Sequence, residues 1–218
     1  MQKTQMQNRG NREEMANMET GTTTLGITAK NGVVLAADNR ATMGHLKVSK
    51  QAQKVFKIDE GIGLSIAGSV GDAQRIVRVM KAELKLYKLE TKEISVKGAS
   101  TLLSNILQGS KMMPFMNQFV IAGVDDGEGV LYDLDPLGGL MDHETFTSTG
   151  SGSPTAYGVL EDRYEEGMSI EDTVKLAVRA VQAASERDIA SGDGIDVVAI
   201  DEDGYRKIPA SEVEEYME

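Results

Sequence analysis

Thr22 follows Gly21 and precedes Thr23 and Thr24. A threonine at the start of a chain would hold a hydroxyl nucleophile and an amine base on one residue. A free α-amine titrates at about 7.7–8.0, close enough to neutrality to take the hydroxyl proton without help from histidine. The scheme requires scission between Gly21 and Thr22. A glycine at 21 suits it, because attack on the preceding carbonyl needs a strained backbone. Taken alone, the same residues also read as three threonines that start a strand.

Two charges point to partners for such a nucleophile. Asp38 closes the apolar run Val33-Val34-Leu35-Ala36-Ala37, and a carboxylate there needs a partner. Lys54 alternates with Phe56 and Ile58, which places it on an inward side of its strand. Paired, the two solve each other's burial. An ammonium beside Thr22 favours the alkoxide and lowers the pKa of a neighbouring amine. Register decides whether they can meet. A two-residue Asn31-Gly32 loop pairs Leu25 with Asp38 and puts Asp38 on the face opposite Thr22. A three-residue loop, Lys30-Asn31-Gly32 with Gly32 left-handed, pairs Thr24 with Asp38 and sets Thr22, Thr24, Asp38 and Arg40 on one face. The three-residue loop is expected.

Composition narrows the alternatives. The chain has 218 residues, 40% hydrophobic and 26% charged, with a formal net charge of -11. That balance fits a globule and argues against a basic nucleic-acid surface. No apolar run approaches the roughly 20 residues of a membrane span. Cysteine is absent, which excludes disulfides and thiolate chemistry. His45 and His143 are the only histidines, so a Ser-His-Asp triad would have to use one of them, and zinc ligation is poorly served. No P-loop is present. Neither Ser151 nor Ser153 in Gly150-Ser151-Gly152-Ser153 has the flanking glycines of a nucleophile elbow. Residues 1–21 lack the apolar core of a secretory signal and read as a tail or as a segment removed on maturation.

The elements that must position these residues follow from periodicity and turns. Strands are expected at 22–28, 33–37, 54–58 and 62–67. An amphipathic helix begins near Ser69, and a second spans about 99–112, stopped before Pro114. Strands return at 118–124, 129–134 and near 141–147. Ser153 and Pro154 open a helix to about Tyr164, and Ser169 caps another that ends near Gly192. A last hairpin covers 194–200 and 205–208, and 212–218 is an acidic tail. Strands in antiparallel pairs and helices in pairs indicate an α+β architecture of two face-to-face sheets, each covered by a helix pair. One domain, 22–218, is expected.

In their order along the chain, Thr22-Thr23-Thr24 after Glu19-Thr20-Gly21, Asp38, Arg40, Lys54, Ala67-Gly68, Gly150-Ser151-Gly152-Ser153 and Arg187-Asp188-x-x-Ser191-Gly192 resemble a proteasome β subunit of the archaeal type. The resemblance spans about Met18 to Tyr205. It implies a four-layer αββα sandwich of the N-terminal-nucleophile hydrolase fold and a threonine-type endopeptidase that removes its own propeptide, residues 1–21. By resemblance, Thr22 is nucleophile and base, Lys54 held by Asp38 tunes it, and Arg40 belongs to the same charge network. The Gly68 N–H donates to the oxyanion, and Ser151, Asp188 and Ser191 orient the amine and its water. Ala41, Ala52, Ile66, Val70 and Gln74 match the first specificity pocket, whose small apolar walls suggest cleavage after hydrophobic residues. Thr42 and Val70 present backbone groups to a substrate strand. No cofactor or metal is implied. The implied partners are seven-membered β rings stacked in pairs, α-subunit rings, an ATPase unfoldase and unfolded polypeptides in the cytoplasm, with no nucleic acid and no membrane. The competing readings are the bacterial two-component protease of the same fold, a ring subunit without catalysis, and an unrelated acidic binding module.

Overall fold

The computed structural model describes residues 21–43, 46–91 and 93–217. The expectations placed on residues 1–20 and on His45 lie outside them. Twelve strands and five helices follow in chain order among the described residues. The first sheet contains β1 (Thr24–Ala29), β2 (Gly32–Asp38), β10 (Phe146–Thr149), β11 (Ile195–Asp201) and β12 (Gly204–Lys207), in the order β10-β1-β2-β11-β12. The second contains β5 (Val55–Asp59), β6 (Ile62–Gly68), β7 (Asn117–Asp125), β8 (Glu128–Leu134) and β9 (Leu140–His143), ordered by sequence. The short pair β3 (Ala41–Met43) and β4 (Leu46–Ser49) stands apart. All strand pairs are antiparallel.

Four layers result. The inner faces of the sheets meet through Val33, Leu35, Ala37 and Val198 from the first and Val55, Val120, Ala122 and Leu131 from the second. The outer face of the first sheet, with Leu25, Ile27, Val34, Ala36 and Val197, packs under α3 (Ser153–Arg163), α4 (Ile170–Arg187) and α5 (Ala210–Glu215). Leu64, Ile66, Phe119 and Ile121 pack under α1 (Val70–Thr91) and α2 (Val96–Gly109). β2 is buried along its whole length. Being covered on both faces, it reads as an unbroken apolar run rather than an alternating one. This is the αββα sandwich. No helix among the described residues is long and apolar enough to cross a membrane.

The β1–β2 register corrects the expected loop. Thr24 pairs with Ala37 and Ala29 with Gly32, so the loop is the two residues Lys30 and Asn31. Neither the three-residue loop nor the Asn31-Gly32 loop forms. Asn31 takes the left-handed conformation (φ 61°), which its short polar side chain tolerates nearly as well as glycine does. Asp38 donates its N–H to the Thr23 carbonyl at 3.1 Å, so Thr23, not Thr24, stands opposite Asp38. The arrangement of Thr22, Thr24, Asp38 and Arg40 on one face is therefore absent.

Other boundaries shift in smaller ways. α3 begins at Ser153 with Gly152 as N-cap and no side-chain cap bond; Pro154 supplies the preset φ of a first turn. Ser169 caps α4 as expected, accepting from the Asp172 N–H, but the helix stops at Arg187. Residues 210–215 form α5, anchored by the buried Val213. The strand expected near 141–147 is two strands, β9 and β10, in different sheets.

Candidate active site

Asp38 is fully buried and Lys54 is 7% exposed. Their ion pair measures 2.8 Å from Nζ to Oδ1. A carboxylate buried this deeply needs most of its lone pairs filled, and Asp38 fills them. Oδ1 also accepts the Thr23 N–H at 2.8 Å. Oδ2 accepts the N–H groups of Arg40 at 3.1 Å and Gly192 at 2.9 Å. Lys54 lies just before β5, and its carbonyl accepts the Ile66 N–H. Strand alternation is not what turns it inward: Val55 faces the inter-sheet layer and Phe56 the helix layer, and a register shift interrupts β5 between Lys57 and Asp59. Burial pushes the Lys54 ammonium below its ordinary pKa. The charge and hydrogen bond of Asp38, with Asp188 further off, pull the other way.

A second network reaches Thr22 from the loop after α4. The Thr22 N–H donates to Ser151 Oγ at 3.2 Å. Ser151 donates to Asp188 Oδ2 at 2.6 Å, and Ser191 donates to the same oxygen at 2.7 Å. With its proton so used, Ser191 accepts from the Thr23 hydroxyl at 2.8 Å. Thr22 Oγ1 donates to the Gly21 carbonyl at 2.7 Å. The hydroxyl therefore rests on the peptide bond that maturation would cut. Thr22 is 3% exposed.

Gly68 ends β6 with φ 129°, a conformation that L side chains rarely adopt. Gly150 links this strand end to Thr22, since a side chain at 150 would collide with the Thr22 carbonyl and touch the Ala67 side chain. A buried hydroxyl on the carbonyl of the preceding peptide, a line of hydroxyls to Asp188 and a lysine–aspartate pair thus converge on residues 22 and 23.

Comparison with known proteins gives the family. The family model described as Proteasome subunit matches residues 18–200. The chain belongs to the proteasome subunit family. Among curated relatives, a protein named proteasome subunit beta from Methanohalophilus mahii is 51% identical over 91% of this chain and 95% of its own length. One of the same name from Methanocaldococcus vulcanius is 52% identical over 88% of this chain and 87% of its own. Another from Methanopyrus kandleri is 48% identical over 94% and 99%.

In this proteasome-family chain the residues matched to a specificity pocket fall into two groups. Ala41 and Thr42 lie on β3, and Ala52 is tied nearby through its N–H to the Asn39 carbonyl at 2.9 Å. Thr42 Oγ1 accepts the Gly21 N–H at 3.2 Å, so its side chain holds the residue just ahead of Thr22. Ile66 is buried in the layer under α1, while Val70 and Gln74 are exposed on the first turns of that helix, one turn apart on the same side.

Arg40 divides its bonds. Its main-chain N–H goes to Asp38, but its guanidinium pairs with Asp193 at 2.7 Å and donates to the Ile189 carbonyl at 2.6 Å. Lys47 binds the other Asp193 oxygen at 2.8 Å. Asp193 and Thr23 are the site residues that sequence reasoning missed. The available signal was Asp193 between two glycines, a setting for the positive φ (63°) it adopts. His143 pairs with Asp133 at 2.6 Å on β8 and β9 and has no bond to either network. Among the described residues no cluster of three or more histidine, aspartate or glutamate side chains is placed to hold a metal ion.

Proposed function

We propose that the chain is the proteolytic β subunit of a proteasome core, a threonine endopeptidase whose nucleophile is Thr22 after residues 1–21 are removed. The observation that carries the reading is the position of Thr22. Its hydroxyl is held on the Gly21 carbonyl and its nitrogen on the Ser151–Asp188 line, next to a residue bound by Asp38 and Lys54.

In maturation, Thr22 Oγ bonds to the Gly21 carbonyl carbon and the bond from that carbon to the Thr22 nitrogen breaks. The hydroxyl proton passes to the nitrogen. Water then hydrolyses the ester, leaving a Gly21 carboxylate and a free Thr22 amine. In turnover that amine takes the hydroxyl proton as Oγ attacks the substrate carbonyl, and it returns a proton to the leaving amine. Water releases the acyl group. The Lys54 charge lowers the cost of the developing alkoxide, and Asp38 keeps the ammonium in place. Ser151, Asp188 and Ser191 orient the amine, and Gly68 N–H receives the oxyanion. Arg40 and Asp193 brace the loop that carries Asp188 and Ser191.

The names of the relatives support assembly into a proteasome core. Stacked heptameric β rings, α-subunit rings, an ATPase unfoldase, unfolded polypeptide substrates and a cytoplasmic setting complete the proposal. Intact-mass measurement of the assembled protein tests it. Loss of residues 1–21 is expected, whereas Thr22→Ala should retain them and cleave no peptide. Turnover by Thr22→Ala above background would overturn the mechanism.

A further inference from the structure

We propose that Asn117 is a positioning residue that holds the Ala67–Gly68 peptide with its N–H toward the reacting carbonyl oxygen. The inference rests on the reading above, in which Gly68 is the oxyanion donor. Asn117 opens β7 opposite Gly68 and is 2% exposed. Its Nδ2 donates to the Ser69 carbonyl at 3.0 Å and reaches the Ala67 carbonyl at 3.5 Å. The Ser69 N–H donates to the Met116 carbonyl at 3.0 Å. Three successive peptide planes around Gly68 are thus pinned by residues 116 and 117. Gly68 is pressed against the same two residues: a Cβ on it would collide with the Met116 carbonyl and lie 2.9 Å from Asn117 Cα and Nδ2.

The β6–β7 ladder, in which Ala67 stands opposite Gln118, aims the Ala67 carbonyl toward β7, and the Asn117 side chain buttresses that aim. The C=O and N–H of a trans peptide point opposite ways. With Asn117 behind the Ala67 oxygen, the Gly68 N–H faces away from β7. Strand alternation agrees, because Ile66 donates to the Lys54 carbonyl at 2.9 Å and Gly68, two residues on, turns to the same edge. β5 supplies no strand partner beyond Val55, which pairs with Ser65, so the N–H opens on the side where Lys54 meets Asp38. A hydrogen bond on the Ala67 oxygen also polarises that peptide and strengthens its N–H as a donor.

Asn117 is poorly explained as a structural residue. Its Oδ1 is buried without a partner among the described residues, and reversing the amide would set an oxygen against two carbonyl oxygens. An apolar strand former would avoid the orphaned atom.

The test uses the assembled, matured particle with Asn117→Val, which suits a strand and removes the unpartnered Oδ1 together with the donor to the Ser69 and Ala67 carbonyls. Three quantities are measured: kcat and KM on a peptide substrate, affinity for a peptide aldehyde, and affinity for the matching peptide alcohol. The aldehyde adds Thr22 Oγ and places an oxygen where the oxyanion forms; the alcohol binds without that oxygen. A fall in kcat of about tenfold or more is expected, less than the loss of a whole oxyanion donor, with KM changed by no more than about twofold. Aldehyde affinity should fall in step with kcat, and alcohol affinity should hold. Unchanged kcat would overturn the proposal, and so would equal weakening of aldehyde and alcohol. If Asn117→Val does not assemble, Asn117→Thr carries the same expectations. Wild-type particles without Thr22-dependent turnover would instead remove the parent reading, a result visible before any Asn117 variant is made.

Discussion

The Thr23 main-chain N–H and the Lys54 ammonium donate to one atom, Asp38 Oδ1, each at 2.8 Å. The lysine charge is therefore registered against the backbone beside Thr22, the proposed nucleophile, and not against a mobile side chain. Lys54→Arg keeps the charge but replaces a compact ammonium with a wide planar fork, which cannot occupy the same buried position. The variant should assemble and be nearly inactive on peptides. Near-normal turnover would show that Lys54 does not act on Thr22.

Asp38 accepts four donors, three of them main-chain N–H groups. Asp38→Asn turns one acceptor into a donor facing donors and leaves the Lys54 charge unpaired. Breaking a buried pair in this way costs about 3–5 kcal/mol. Urea unfolding of the variant should show a loss of that order, and a midpoint equal to wild type would contradict the assigned contacts.

Gly21 lies against Ala190, so that a side chain on Gly21 would collide with the Ala190 methyl. Gly21→Ala should displace the Gly21 carbonyl from Thr22 Oγ and slow the proposed removal of residues 1–21 on the order of a hundredfold. Adding Ala190→Gly should restore part of the rate. Intact mass followed over time after assembly measures both, and normal processing of Gly21→Ala would place the steric control elsewhere.

The Arg40 guanidinium, and after it the Lys47 ammonium, hold the Asp193 carboxyl down from 3.8 to about 2. The unfolded chain then binds more protons than the folded one between those values. The contribution of Asp193 to stability is complete above about pH 4 and is lost as pH falls through about 2. Asp193→Asn should flatten the unfolding midpoint across that window. Parallel pH curves for variant and wild type would refute the linkage.

Much of this arrangement was legible in the sequence because it follows from strong constraints. The apolar run ending in Asp38 demanded a buried partner, and Lys54 was the candidate placed to supply it. Paired strands and paired helices required two sheets with covered outer faces. What escaped were features set by small energy differences. Asn31 and Gly32 both tolerate a left-handed conformation, so loop length, and with it the face of every β1 residue, was not decided locally. β3 and β4 are too short for a period to show, and most of β4 is exposed. The roles of Thr23 and Asn117 depend on the convergence of distant segments, which leaves no mark in local spacing, and the glycines around Asp193 mark only its left-handed backbone, not its partners.

β1 begins at Thr24, and the first cross-strand bond to β2 uses the Thr23 carbonyl. A cut ahead of Thr22 therefore removes no rung of the sheet. Among the described residues, the hydrogen bonds that removal of residues 1–21 would surrender are the Gly21 N–H to Thr42 and the Thr22 hydroxyl to Gly21; Thr23 would stay clamped by Asp38 and Ser191. On the proposed cut, the new chain start would be born already tethered, so conversion from dormant to competent subunit would need no rearrangement of the described strands around Thr23.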